Sequence, residues 1–247
     1  MAYQSVFKRY ELKYLLTDEQ REAVYRAIAP YMALDQYGRT TIRNIYFDTD
    51  NYRLIRRSLE RPAYKEKLRI RSYQQATPES HVFVEVKKKY ESVVYKRRVS
   101  LPEAEAMQWV CSGQPCGKQT QISKEIDYFM QYYQPLKPKL FLSYQREAFL
   151  TKEASDFRVT FDDTILCRQN NLSLQSEAYG NAILPKGMSL MELKCAGGIP
   201  LWMTEILSKH HLYKTSFSKY GTAYQTIIYP KLREKHTNHS EEVAVYE

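Results

Sequence analysis

Lys67-Leu68-Arg69-Ile70-Arg71 is the stretch that decides how this chain folds. Successive side chains of an extended strand point to opposite faces, so Lys67, Arg69 and Arg71 share one face while Leu68 and Ile70 share the other. Phe83-Val84-Glu85-Val86-Lys87, Lys96-Arg97-Arg98-Val99 and Met191-Glu192-Leu193-Lys194 repeat the alternation. Working outward, the ionic parity of the strand-like runs collects Arg9, Lys13, Lys67, Arg69, Arg71, Lys87, Lys89, Lys96, Arg98, Arg146, Arg158 and Lys194, against only Glu11, Glu85, Asp162 and Glu192. That parity carries most of the excess behind the chain's formal charge of +9. A sheet face so charged suits a polyanion, and its few carboxylates suit a metal ion.

At 247 residues and 43% hydrophobic, the chain can build one sizeable core, and 8 Gly with 10 Pro argue against low complexity. A single domain over residues 1–232 is expected, followed by a polar, disordered tail over 233–247. The basic balance points to an acidic partner: nucleic acid, an anionic membrane or a phosphorylated molecule. Cys111, Cys116, Cys167 and Cys195 have no CxxC or Cys/His ligand spacing and read as reduced thiols. No apolar run approaches the roughly 18 residues of a membrane span, and the N-terminus lacks an apolar signal core. These features predict a cytoplasmic protein and leave peripheral membrane association open. The 22 Tyr, among them Tyr46 and Tyr144, read mostly as packing residues of strands.

Alternation predicts strands over 6–16, 40–47, 64–73, 80–90, 93–101, 138–150, 156–162 and 188–195. Helices are expected after a Thr17–Gln20 capping box to about Ala29, after Asp48 to about Leu59, over 102–111, from a Ser123 cap to Tyr133, over 200–211 and over 219–229. The polar segment 168–187 reads as a loop and a candidate flap. Eight strands with one ionic face can form an open sheet with that face in water, or a closed antiparallel barrel with that face lining a tunnel. Repeated Lys and Arg at matched parity favour the tunnel: an α+β fold, a closed eight-stranded antiparallel barrel with flanking helices.

The motifs Arg9-x-Glu11-x-Lys13-Tyr14, Tyr46-Phe47-Asp48, Lys67-Leu-Arg69-Ile-Arg71, Phe83-Val-Glu85-Val-Lys87, Gln145-Arg146-Glu-Ala-Phe149, Arg158-Val-Thr-Phe-Asp162, Met191-Glu192-Leu-Lys194 and Phe217-Ser218-Lys219-Tyr220 stand in the order of the VTC domain. Over residues 5–230 the chain resembles that family, polyphosphate polymerase-like domains of the triphosphate tunnel metalloenzyme superfamily. The resemblance implies a metal-dependent phosphotransferase that moves the terminal phosphoryl group of ATP onto a polyphosphate chain. It implies catalytic roles for Arg69, Arg71, Lys87 and Lys13. Phosphate contacts would come from Lys67, Lys96, Arg98, Arg146, Arg158, Lys194 and Lys219. A divalent ion, Mn²⁺ or Mg²⁺, would be held by Glu192, with Glu11 and Glu85 either further ligands or structural partners of the lining cations. The last motif departs from the polymerase, which has a second basic residue where this chain has Ser216; Lys214 is the nearest substitute. The superfamily's triphosphatases carry Glu-x-Glu-x-Lys on the first strand. Arg9 in place of the first glutamate weakens the metal cluster that activates water, and so favours transfer, or binding without turnover.

Two other readings stay open on sequence alone. One is a metal-dependent inorganic or nucleoside triphosphatase, and the other a non-catalytic receptor for polyphosphate or inositol phosphates. Nucleic acid is not expected, because carboxylates face the groove. A membrane-protein partner is left open. Asp48 reads as a helix cap, and Asp162 as either a partner of Arg158 or part of the outer shell of the site. His81, His210, His211, His236 and His239 read as surface or packing residues.

Overall fold

The computed structural model describes residues 10–91, 93–153 and 155–234. Arg9, His236, His239 and the tail from 235 onward lie outside them. In chain order the elements are β1 (Tyr10–Thr17), α1 (Asp18–Ile28), β2 (Met32–Leu34), β3 (Thr40–Asp48), α2 (Arg53–Leu59), β4 (Tyr64–Ser72), β5 (His81–Tyr90) and β6 (Val93–Pro102). There follow α3 (Glu103–Ser112), α4 (Gln121–Tyr132), β7 (Lys137–Thr151), β8 (Arg158–Arg168), β9 (Asn181–Ala182), β10 (Met188–Cys195), α5 (Leu201–Lys209) and α6 (Lys219–Ala223). The last helix runs into a π-helical turn, Tyr224–Ile228.

One antiparallel sheet takes the order β1-β10-β8-β7-β3-β4-β5-β6, with β2 added on β7 and β9 on β8. All eight expected strands are present. The two short ones were not legible, since two or three residues show no alternation. The expected closed eight-stranded barrel is not what forms: among the described residues the sheet has ten strands and is open between its edge strands β1 and β6. The reason lies on the edge of β1. The strand-like stretch around Thr215 bridges Lys13, and the Thr215 N–H donates to the Lys13 carbonyl at 2.7 Å, so a backbone group β6 would need is already engaged. The sheet still curls far enough for Lys87 of β5 to reach Glu11 of β1 at 3.0 Å.

The apolar parity faces outward under helices. Leu68, Ile70, Val84, Val86 and Val99 pack with Trp109 of α3 and with Ile126 and Phe129 of α4. Leu193, Met191, Val159 and Phe161 pack with Val24 and Ile28 of α1 and with Met203 and Ile206 of α5. Burying such side chains stabilises by about 1.5–3 kcal/mol each, which fixes the strand register because a one-residue slip would exchange the faces. A third apolar cluster joins Ile42, Leu140, Leu142 and Leu190 to Tyr220, Ala223, Tyr224 and Ile228, so α6 and the π turn pack against β3, β7 and β10.

Local signals acted largely as expected. Thr17 and Gln20 form the capping box of α1. Asp48 Oδ1 accepts the N–H groups of Thr49 and Leu54 at 2.8 Å, and Oδ2 accepts Ile55 N–H and Tyr220 O–H at 3.0 Å. Ser123 does not cap α4; it is the third residue of a capping box whose cap is Thr120. Among the described residues no helix is long and apolar enough to cross a membrane.

Candidate anion and metal site

The register brings the ionic parity into cross-strand rows. On β4, β5 and β6, Lys67, Lys87 and Lys96 stand directly opposite one another, and the next row is Arg69, Glu85 and Arg98. Across β1, β10 and β8 the rows run Lys13, Glu192, Thr160 and Glu11, Lys194, Arg158, while Asp162 of β8 faces Arg146 of β7.

On the β4–β6 side, Glu85 is fully buried and takes Arg69 Nε at 2.8 Å and Nη2 at 2.7 Å, with Lys96 Nζ on its other oxygen. Burial would raise its pKa, but Arg69, Arg71 and Lys96 hold it well below the usual carboxylate range. Arg69 also donates to Tyr46 Oη at 3.0 Å. Arg71 is buried and among the described residues has no carboxylate contact: its Nε donates to Asn44 Oδ1 at 2.9 Å and its Nη2 to Tyr144 Oη at 3.0 Å. Lys67 Nζ donates to the Ser218 hydroxyl at 3.0 Å. Burial, with Lys13, Lys87, Lys65 and Arg69 nearby, pushes Lys67 down to about 7. Burial also takes Lys96 to about 7, against the pull of Glu85.

On the β1–β10–β8–β7 side, charges alternate. Glu192 meets Lys194 at 2.7 Å, Lys13 and Lys219 at 3.5 Å and Arg146 at 3.6 Å. Burial would raise this carboxyl, but Lys194, Lys219, Lys13 and Arg146 together hold it well below its ordinary value. Asp162, fully buried, accepts a fork from Arg146 at 2.6 Å on each oxygen and Lys219 Nζ at 2.5 Å. It therefore belongs to the ionic network through Arg146 and Lys219. Lys219 is raised: burial opposes its charge, but Asp162 and Glu192 outweigh that. Glu11 accepts Lys87 with both oxygens and sits at about 2, where Lys87 overcomes burial and the repulsion of Glu192.

Tyr144 joins the two sides. Its hydroxyl takes Arg71, and its ring lies 4.5 Å from Lys219 Nζ and 5.0 Å from the Arg146 guanidinium carbon. Lys13, Lys67, Arg69, Arg71, Lys87, Lys96, Arg146, Lys194 and Lys219 are thus drawn into one network. Arg98 is half-buried over Phe83 at 4.8 Å, while Arg158 is exposed at the end of its strand. Asn44, Tyr46 and Tyr144 orient the arginines and were not singled out from sequence for a site role. Their shared parity with Arg71 and Arg146 was the available signal.

Hard oxygen donors suit Mg²⁺ or Mn²⁺, which commonly takes one or two carboxylates and completes its shell with substrate phosphates and water. Glu192 and Glu11 fit that pattern, since they lie near enough to influence each other's charge. Glu85 is enclosed between Arg69 and Lys96. Among the described residues no group of three or more His, Cys, Asp or Glu side chains converges as a self-contained metal site.

The sheet is antiparallel and curled, with helices outside and an ionic concave face, and solved structures share this fold. The chain superposes on a Bacillus halodurans protein assigned as an adenylate cyclase, with a TM-score of 0.55, 15% identity and coverage of 87% of this chain and 96% of that one. It is also similar to an adenylyl cyclase candidate from Hippeastrum described as having a dominant triphosphatase activity, with a TM-score of 0.52, 12% identity and coverage of 88% and 94%. No curated protein sequence matches the chain. The VTC domain model matches residues 8–228, and the chain belongs to that family.

Proposed function

We propose that this protein is a polyphosphate polymerase-type phosphotransferase, taking the terminal phosphoryl group of ATP and adding it to a polyphosphate chain on the concave face. The observation that carries this reading is the row Lys67, Lys87, Lys96 beside an Arg71 that has no carboxylate contact. Like charges directly opposite in a sheet destabilise it, and although Glu11 reaches Lys87 and Glu85 reaches Lys96, Lys67 and the buried Arg71 have no carboxylate contact among the described residues. Such a surface is complementary to a chain of phosphates.

Phosphoryl transfer asks the protein mainly for in-line positioning and charge stabilisation. The bond from the γ-phosphorus to the ADP oxygen breaks, a terminal oxygen of the polymer forms the new bond, and ADP leaves. Arg69 and Arg71 are preorganised for gripping equatorial oxygens, the first by Glu85 and Tyr46, the second by Asn44 and Tyr144. Lys13, Lys87, Lys96, Lys194 and Lys219 add positive charge along the path. Glu192 and Glu11 would hold a divalent ion, which supplies further neutralisation between phosphates. In this reading Glu85 is a structural partner of Arg69 and Lys96.

A triphosphatase is the second reading. Two mutually interacting carboxylates, Glu11 and Glu192, favour it, since a metal held there could also activate water. Incubation with ATP and Mn²⁺ separates the two. The polymerase reading expects acid-labile, exopolyphosphatase-sensitive polymer and ADP; orthophosphate with ADP, or pyrophosphate, as the only products would replace it with the hydrolase.

A further inference from the structure

On the outer face of the sheet a cleft of about 330 Å³ opens where the later turns of α2 and α4 meet the β4–β5 pair. That is room for a small molecule, since ligand sites span about 300–1,000 Å³. Its floor has the parity opposite to Lys67 and Lys87: Glu66 and Lys88 stand directly across from each other in the adjoining row, and so turn away from the ionic network. One wall is aromatic, with Tyr128, Phe129 and Tyr132 on successive turns of α4. Tyr128 is 68% exposed and Tyr132 57%, so neither ring is a core residue. Their planes lie 25° apart, with centroids 6.4 Å apart, and offer near-parallel faces to a flat ligand.

The floor is polar. The Glu66 side chain is 9% exposed, its carboxylate accepts the hydroxyls of Tyr64 and Tyr133, and Lys88 Nζ lies 3.8 Å away. Burial, and then the bond to Glu66, raises both phenols above their ordinary values and keeps them protonated. Arg57, an exposed residue, completes the lining. Arg57 and Lys88 against the one carboxylate leave a positive charge in excess. A hydrocarbon would strip water from three charged groups, an organic cation would meet the excess positive charge, and a bare inorganic anion would leave the rings without a partner. A flat ring bearing an anionic group satisfies the whole lining: its face stacks on the tyrosines, its charge meets Arg57 and Lys88, and a donor on its edge meets Glu66. A nucleobase on a phosphorylated ribose has all three features.

We propose that this cleft is a second ligand site, separate from the concave face, for a nucleoside monophosphate. The base lies against Tyr128 and Tyr132 with its amino edge toward Glu66, and the phosphate meets Arg57 and Lys88. Because the sheet stands between the cleft and the ionic network, a nucleotide seated here does not compete with phosphates on the concave face.

Calorimetric titration of AMP into the full chain, with and without saturating tripolyphosphate, tests this. AMP should bind with the same affinity in both conditions. Tyr128→Ala and Tyr132→Ala, whose exposed rings the fold does not need, should melt like wild type and each weaken AMP binding about fivefold or more, the loss of one stacking face. Arg57→Ala should weaken AMP and leave adenosine unchanged, and phenyl phosphate, which has no base edge, should bind more weakly than AMP. Absence of AMP binding, its displacement by tripolyphosphate, or wild-type affinity in both tyrosine variants overturns the proposal. Phenyl phosphate binding as tightly as AMP overturns the assignment to a nucleotide. The tyrosine variants decide the matter whether or not the concave face proves to bind tripolyphosphate.

Discussion

The two halves of the concave face are wired in opposite ways. On β4–β6 one row holds Lys67, Lys87 and Lys96, and the single buried carboxylate there, Glu85, serves Arg69 and Lys96 while Arg71 relies on an amide and a phenol. On β1, β10, β8 and β7 the signs alternate: Lys13 faces Glu192, Glu11 faces Lys194 and Asp162 faces Arg146. The second half is close to self-compensated, whereas the first keeps an excess of cations even with Glu11 of β1 on Lys87, and among the described residues its Lys67 and Arg71 have no carboxylate contact. The same residue types therefore form two arrangements, an excess of cations on one side and alternating carboxylates and cations on the other. Lys67 at about 7 and Lys219 raised above its ordinary value express that contrast in protonation.

The largest expected effect of breaking this contrast is at Glu85. Glu85→Gln removes the only buried negative charge of the uncompensated half, and breaking a buried pair in this way costs about 3–5 kcal/mol. Urea denaturation in low-anion buffer should show the loss, and tripolyphosphate should restore part of it. Next, Arg69→Ala and Arg71→Ala should each slow phosphoryl transfer by about 10²-fold or more, as removal of a preorganised donor does. Single-turnover kinetics with ATP and Mn²⁺ would check this.

The shift of Lys67 gives a signed pH prediction. Its folded pKa, about 7, lies below the ordinary lysine value of 10.5. Between those values the unfolded chain binds more protons than the native one, so this group makes stability rise with pH from about 7 to 10.5 and penalises folding below that window. A bound anion favours the charged form, so tripolyphosphate binding at pH 8 should take up protons. Calorimetry in buffers of different ionisation enthalpy measures that uptake, which Lys67→Met should diminish. The smallest expected effect is at Tyr144→Phe, which removes one hydrogen bond to Arg71 and should cost about 1 kcal/mol in stability or anion affinity.

Strand existence and face were legible because period-two alternation is local, and Leu68, Ile70 and Val84 carry it plainly. Closure was not legible. Whether β1 meets β6 depends on a strap from Thr215, more than two hundred residues along the chain from Lys13, and no local pattern encodes that contact. The lining lysines and arginines could be read from parity, but their pairing could not. Asp162 stood open between Arg158 and the outer shell, and the structure gives it Arg146 and Lys219. Tyr46 and Tyr144 were lost among 22 tyrosines, since packing and orienting a guanidinium leave the same residue type in the sequence. Thr120 and Ser123, the two partners of one capping box, carry the same cap signal in sequence, and only the structure tells which of them is the cap.

The central claim is that the β4–β6 half seats the phosphates while the opposite half manages metal and charge. Isothermal titration of tripolyphosphate without metal, into wild type, Arg71→Ala and Glu192→Gln, tests it most directly. Arg71→Ala should bind at least about tenfold more weakly, the loss of one charged hydrogen-bonding group. Glu192→Gln should bind as tightly as wild type or more so, while losing its Mn²⁺-dependent turnover of ATP. Undiminished binding by Arg71→Ala, together with lost metal-free binding by Glu192→Gln, would contradict the assignment of the two halves.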